Sequence, residues 1–417
     1  MTDPRAFRRP DTKTLSPRAI STRAAHPPAP TVPAQPPVGL PVYRTAVYGF
    51  DSMQDYADVL GGRTAGYVYS RIDNPTSDAF AAAVAALEGA EAGQPFASGM
   101  AAISTTLLGL LNAGDHVVAQ AELYGGTFAL LSSVLPRFGI TCTLVPKRDG
   151  VETSSRDVAA AVRPETALIY AETVANPTMS VADLPGLSAV ARAAGVSLVV
   201  DSTFASPVVC RPMEWGADLV VHSATKYIGG HSDSSGGVVV GGAELVSRVR
   251  AMRAELGAML SPDEAFLLHR GLQTLPLRVE RHSTSALAFA TAMAAHPSVA
   301  SVMYPGLSSH PDHELARSLF SVGEAGTTMY GGCVLVTPRG DASAGLALCD
   351  ALTIGRVATS LGGVHTVVSH VPSTTHRQLD DTALAAAGIG PAAVRVSVGL
   401  EDSADLVADF TQALDRL

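Results

Sequence analysis

The sequence is short of cysteine, of aromatic residues and of long apolar runs, and each shortage removes a class of protein. Four cysteines, Cys142, Cys210, Cys333 and Cys349, stand far apart among 417 residues, with no CxxC pair. That spacing builds neither a disulfide framework nor a zinc site, and it points to reduced thiols in a cytoplasmic protein. The longest apolar stretches, such as residues 286–295, are too short to cross a bilayer, so no membrane partner is expected. The N-terminal arginines and prolines lead into no apolar run, so no secretory signal is read there. Basic residues are outnumbered 29 to 38, a net charge of −9, which argues against nucleic acid as the main partner. His222, His231, His310, His313, His365, His370 and His376 show no metal-ligand spacing, and no metal is expected. The glycines carry neither a Walker nor a dinucleotide fingerprint.

What is present suits a globular enzyme. Apolar residues make up 47% and charged residues 16% of a chain long enough for two domains. Pro27, Pro28, Pro30, Pro33, Pro36 and Pro37 crowd together, so residues 1 to about 45 are expected to form a disordered or extended arm. Residues 46–75 are expected to reach a neighbouring subunit. From 76 to 265, helical stretches such as 78–88 and 184–194 alternate with apolar segments at 115–120, 141–145, 166–171, 197–200, 218–221 and 237–240. β-Branched segments without polar alternation predict an α/β fold, a large mostly parallel sheet with helices on both faces. A helical pattern over 261–295, interrupted near Pro276, leads into a smaller α+β domain over 266–417 with strands at 333–337 and 394–398.

Ligands of such sheets bind beyond the carboxyl ends of the strands. Asp201 ends one predicted strand. Lys226 follows another, with Ser223 and Thr225 just before it and a glycine-rich turn behind. A lysine for a Schiff base, an acid for a pyridine nitrogen and hydroxyls for a phosphate suit pyridoxal phosphate (PLP). A solvated lysine is the plainer alternative.

Further segments complete a set: Tyr67-Val68-Tyr69-Ser70-Arg71, Ser98-Gly99-Met100, Leu123-Tyr124-Gly125-Gly126-Thr127, Glu172-Thr173-Val174-Ala175-Asn176-Pro177, Ser360-Leu361-Gly362-Gly363 and Arg395-Val396-Ser397. From about residue 40 to the end the sequence resembles the Cys/Met-metabolism family of PLP enzymes. That family includes cystathionine γ-synthases and γ-lyases, methionine γ-lyases and O-acylhomoserine sulfhydrylases. The resemblance implies the PLP-dependent transferase fold of type I, a cytoplasmic homotetramer built of dimers that share active sites, and a small amino-acid substrate.

It also implies roles. Lys226 carries the Schiff base and moves protons. Ser98, Gly99 and Met100, at a helix N-terminus, hold the phosphate together with Ser223 and Thr225. Tyr69 and Arg71 complete that cradle from the neighbouring subunit, where an arginine fork suits a phosphate. Tyr124 stacks on the cofactor ring and shuttles protons. Asp201 pairs with the ring nitrogen, Thr203 lies beside it, and Asn176 bonds the 3′-oxygen. Arg395 anchors the substrate carboxylate with Ser360 and Thr359. Read alone, Ser98 is also a helix cap, Asp201 an N-cap, Tyr124 a core residue, Asn176-Pro177 a turn and Arg395 an edge charge.

Departures bear on the substrate. Thr359 stands where many cystathionine-handling members carry glutamate, and Gly126 where many methionine γ-lyases carry cysteine. His365 replaces a commonly acidic residue, and Ser373-Thr374-Thr375-His376 looks more like the sulfhydrylase form. The expected activity is γ-elimination at a C–S bond. The alternatives are γ-replacement as a sulfhydrylase or cystathionine γ-synthase, a β-lyase, and a catalytically silent relative.

Overall fold

The computed structural model describes residues 20–25, 35–146, 155–377, 382, 384 and 388–417. Most of the predicted arm lies outside them. Among the described residues, twelve strands form two sheets. The first sheet holds β1 (Ala92–Phe96), β2 (His116–Gln120), β3 (Thr141–Val145), β4 (Thr166–Glu172), β5 (Ser197–Asp201), β6 (Leu219–His222) and β7 (Gly237–Gly241). Its order is β1-β7-β6-β5-β4-β2-β3. The run from β6 to β3 is parallel, and β7 is antiparallel to both of its neighbours.

The six segments expected as strands are strands, each within two residues of its predicted ends. Alternate residues feed opposite faces. Val118, Ile169, Leu198, Val200 and Val220 pack with the helices Pro75–Glu88 and Leu184–Ala194. Val117, Leu168, Val199, Leu219 and Val221 pack with the helices Gly99–Leu110 and Ala243–Leu256. Both faces are therefore dry, which explains strands without polar alternation. β1 went unread in the sequence because Gly93 and Pro95 look like a turn. It lies at the sheet edge, where a missing proline N–H is tolerated.

The second sheet runs β10 (Arg356–Val357), β11 (Val367–His370), β12 (Val394–Ser397), β9 (Cys333–Pro338), β8 (Val299–Met303). The helical pattern over 261–295 resolves into two helices, Pro262–Leu272 and Leu275–Ala295. Pro276 sits in the first turn of the second, where its missing donor costs nothing. That helix packs on Ser403–Leu414 through an edge contact of Phe289 with Phe410, centroids 4.7 Å apart.

Asp409, buried on the last helix, accepts the backbone N–H groups of Thr353, Ile354 and Gly355 at 2.8–3.0 Å and the Thr353 hydroxyl at 2.6 Å. Burial alone would raise this carboxyl, but the bonds from Thr353, Gly355 and Ile354 outweigh it and hold it below its ordinary value. Asp409→Asn should cost about 2 kcal/mol near neutral pH, the usual worth of bonds to a charged acceptor. A depressed carboxyl stabilises the fold above its unfolded value, about 3.9, and the gain is lost as pH falls through the lower folded value. The gap between wild type and variant in denaturant unfolding should therefore close with acid. An equal gap at neutral and strongly acidic pH would contradict it.

Candidate active site

β4 and β5 end level with one another. Glu172 pairs with Asp201, and Asp201 with Val221 on β6. The chain then leaves β6 through Ser223 to Lys226, so three strand ends deliver Glu172, Asp201 and the lysine to one rim. Ser98 caps the helix Gly99–Leu110 through a 3.1 Å bond from Ala101 N–H to its hydroxyl. A Cβ on Gly99 would lie 2.6 Å from Ser223 Cβ, so glycine is what lets this helix start meet the turn after β6. Thr203 ties the turn down. Its N–H donates to Asp201 Oδ1 at 2.9 Å, and its hydroxyl accepts the Ser223 N–H at 2.8 Å. Thr225 Oγ1 exchanges bonds with the backbone of Gly236.

Lys226 Nζ donates to Ser360 Oγ at 2.9 Å. Burial, and then the neighbouring Arg395 charge, push its pKa below that of an ordinary lysine. Arg395 is 4% exposed. It donates to Asn176 Oδ1 at 3.1 Å and to the Ser360 carbonyl at 2.9 Å, and its Nε has no partner. Ser360 adopts a left-handed backbone, φ 77°, which is costly for a residue with a side chain. The strained turn aims its carbonyl at Arg395 and its hydroxyl at Lys226. A weakly basic amine and a guanidinium with a spare N–H thus share one corner, suited to an anion beside a proton acceptor.

Asp201 is buried, and burial raises its pKa against the bonds from Thr203. Tyr170 donates to it at 3.5 Å. Tyr124 is 45% exposed over the rim, and a Cβ on Gly126 would come within 2.7 Å of its ring and 2.9 Å of Met100 Sδ. Thr359 is exposed next to Ser360.

The structure thus gathers Ser98, Gly99, Thr203, Asp201 and Ser223 on one side, and Lys226, Asn176, Ser360 and Arg395 on the other. Met100, Gly126 and Tyr124 form a third group. Tyr69 and Arg71 stand apart. Arg71 donates to the Ala254 carbonyl and lies over the Tyr69 ring, and neither bonds to Ser98, Ser223 or Thr225 of the same chain.

Three residues at the site escaped the sequence. Glu172, quoted only as part of a motif, accepts the N–H groups of Tyr124 and Asn176 at 2.6 and 3.3 Å. Its position level with Asp201 was the available signal. Cys333, near Lys226 and Arg395, touches the Tyr227 hydroxyl at 3.6 Å. His376 is buried near Arg395, and burial first, then that charge, lower its pKa to about 4, so it is neutral.

A sequence profile of the family described as Cys/Met metabolism PLP-dependent enzymes matches residues 21–415. The L-methionine gamma-lyase of Pseudomonas putida is 43% identical over 376 residues, 90% of this chain and 92% of that protein. The cystathionine gamma-synthase of Mycobacterium tuberculosis is 40% identical over 395 residues, 94% of this chain and 96% of that protein. Among solved structures, cystathionine gamma-lyase from Lactobacillus plantarum complexed with L-serine superposes with a TM-score of 0.81 at 34% identity, covering 90% of this chain and 93% of that one. Sequence and fold agree, and the chain belongs to the Cys/Met metabolism family of PLP-dependent enzymes.

Proposed function

We propose that the protein removes the γ-substituent of a sulfur amino acid, methionine first, taking methionine and water to 2-oxobutanoate, ammonia and methanethiol. The observation that carries this is the corner where Lys226 and Arg395 meet on Ser360.

The residues fit PLP. Asp201 is a buried carboxyl that burial has lifted, so a protonated ring nitrogen beside it would restore its charge. Ser98, Gly99, Met100, Ser223 and Thr225 border the helix start that suits the phosphate, with Thr203 bracing the turn. Tyr124 would stack on the ring, and Asn176 would bond the 3′-oxygen. Bound there, the cofactor supplies an electron sink for negative charge developing at Cα and beyond. Arg395, aided by Ser360 and with Thr359 at the rim, holds the substrate carboxylate. Lys226 Nζ, weakly basic for a lysine, accepts the Cα proton, and the Tyr124 hydroxyl supplies a proton to the departing sulfur.

Gly126 favours a second reading. A side chain there would strike the Tyr124 ring and Met100 Sδ, so Tyr124 holds this position only with glycine at 126 and without the cysteine of many methionine γ-lyases, and γ-replacement is the alternative activity. 2-Oxobutanoate from methionine without added thiol supports elimination. Product only from O-acetylhomoserine plus thiol supports replacement. A colourless purified protein would defeat both.

We read the division near residue 265 as a domain boundary, since the first sheet lies within 92–241 and the second within 299–397. We place the protein in the cytoplasm as a homotetramer built of two dimers. Tyr43, Val47, Met53, Leu60 and Tyr69 are exposed, and the helix Met53–Leu60 buries none of its residues, as a segment covered by a second copy would in one protomer. That copy would bring Tyr69 and Arg71 to the phosphate. No described helix is long and apolar enough to cross a membrane.

Gly99→Ala tests the phosphate side. With Ser223 Cβ 2.6 Å from the added methyl, the helix start must shift, and PLP affinity should fall at least tenfold in equilibrium titration. Unchanged affinity would move the phosphate elsewhere.

A further inference from the structure

Glu172 is buried, ends β4 and sits level with Asp201, yet no role assigned so far uses it. A buried carboxyl beside another is costly: burial first, and then the Asp201 charge, push the Glu172 pKa well above its ordinary value. What it binds is the backbone of two loops: Oε1 takes the Tyr124 N–H at 2.6 Å and Oε2 the Asn176 N–H at 3.3 Å. Asn176 Oδ1 accepts from Arg395 at 3.1 Å, Arg395 donates to the Ser360 carbonyl at 2.9 Å, and the Ser360 hydroxyl accepts from Lys226 at 2.9 Å. An unbroken line of hydrogen bonds thus crosses the site from Tyr124 to Lys226, and Glu172 is the link between the loop after β2 and the loop after β4.

We infer that Glu172 is a positioning residue that sets the ring-facing Tyr124 and the carboxylate-binding Arg395 at a fixed separation, so that a substrate held by its carboxylate presents its γ-carbon under the Tyr124 hydroxyl. The inference rests on the site assignment above. A carboxyl side chain suits the task because it presents one oxygen to each loop. An amide offers only one.

That difference supplies the test. Glu172→Gln keeps an oxygen for the closer bond to Tyr124 but turns an NH2 toward the Asn176 N–H, two donors face to face. Its Arg395 arm should slacken alone. The KM for substrate, and the dissociation constant of L-alanine read from the visible spectrum, should both rise about tenfold, with kcat within threefold and PLP affinity unchanged. Glu172→Ala frees both loops, so PLP affinity in the cofactor-free protein should also fall at least tenfold and kcat should drop. Asn176→Ala should reproduce the loss of alanine affinity and add little when combined with Glu172→Gln, as members of one network do. If Glu172→Gln leaves alanine affinity at the wild-type value while only lowering the melting temperature, the residue is structural and the inference fails. If Glu172→Ala does not fold, unaltered alanine affinity in Asn176→Ala overturns it equally. A colourless wild type defeats the site assignment itself, whereas a yellow wild type with an unaffected Glu172→Gln defeats this inference alone.

Discussion

Lys226→Ala is expected to yield a folded protein that binds PLP without covalent attachment and turns over roughly 10³-fold more slowly, or worse. General-base catalysis alone contributes about 10²–10⁴-fold, and the covalent link adds its own share. The fold should survive, since the Nζ makes a single described hydrogen bond, to Ser360, and removing a partly buried amine relieves a desolvation cost. Visible absorbance and 2-oxobutanoate release measure the effect, with melting temperature as the control. Turnover within tenfold of wild type would remove Lys226 from the chemistry. The cofactor-free wild type offers a further check. Burial and Arg395 lower the amine's pKa, so Nζ should become reactive toward an acylating reagent at lower pH than surface lysines do.

The sheet was legible because its strands are buried on both faces. Segments such as Leu198-Val199-Val200 leave no polar residue for solvent, and only a covered parallel sheet accommodates that. β1 was not legible, since Pro95 argues against a strand unless its edge position is known. The positions of Lys226, Asp201 and Ser98, just past or at strand ends and at a helix start, were legible because such ends can be placed from local pattern. The meeting of Arg395 with Asn176 was not. They lie 219 residues apart, and the contact forms only when β12 packs against the loop after β4. Glu172 was hidden for a different reason. Its ligands are backbone N–H groups, which every residue carries, so no side-chain pattern announces them. Thr359, read beside Ser360 at the substrate carboxylate, is exposed.

Arg395→Leu is the second large effect. The guanidinium is buried, holds two loops by its NH1 and NH2 groups and has its Nε unpartnered. A buried N–H without an acceptor is costly, and the substrate carboxylate is the anion that would complete it. Removing one member of a buried charge pair costs about 2–5 kcal/mol, so KM for the amino acid should rise by roughly 10²-fold or more, with kcat changing less. Arg395→Lys should recover only part of this, because an ammonium keeps the charge and loses the fork. The signature lies in the substrate's own carboxylate. Wild type should bind an amine analogue lacking that group far more weakly than the amino acid, and Arg395→Leu should treat the two alike. The same variant withdraws a positive charge from beside Lys226, so in the cofactor-free protein the onset of Nζ reactivity should move to higher pH. A variant that still distinguishes the amine from the amino acid would place the carboxylate on another residue. An unmoved Lys226 would mean that burial alone sets the basicity of the amine.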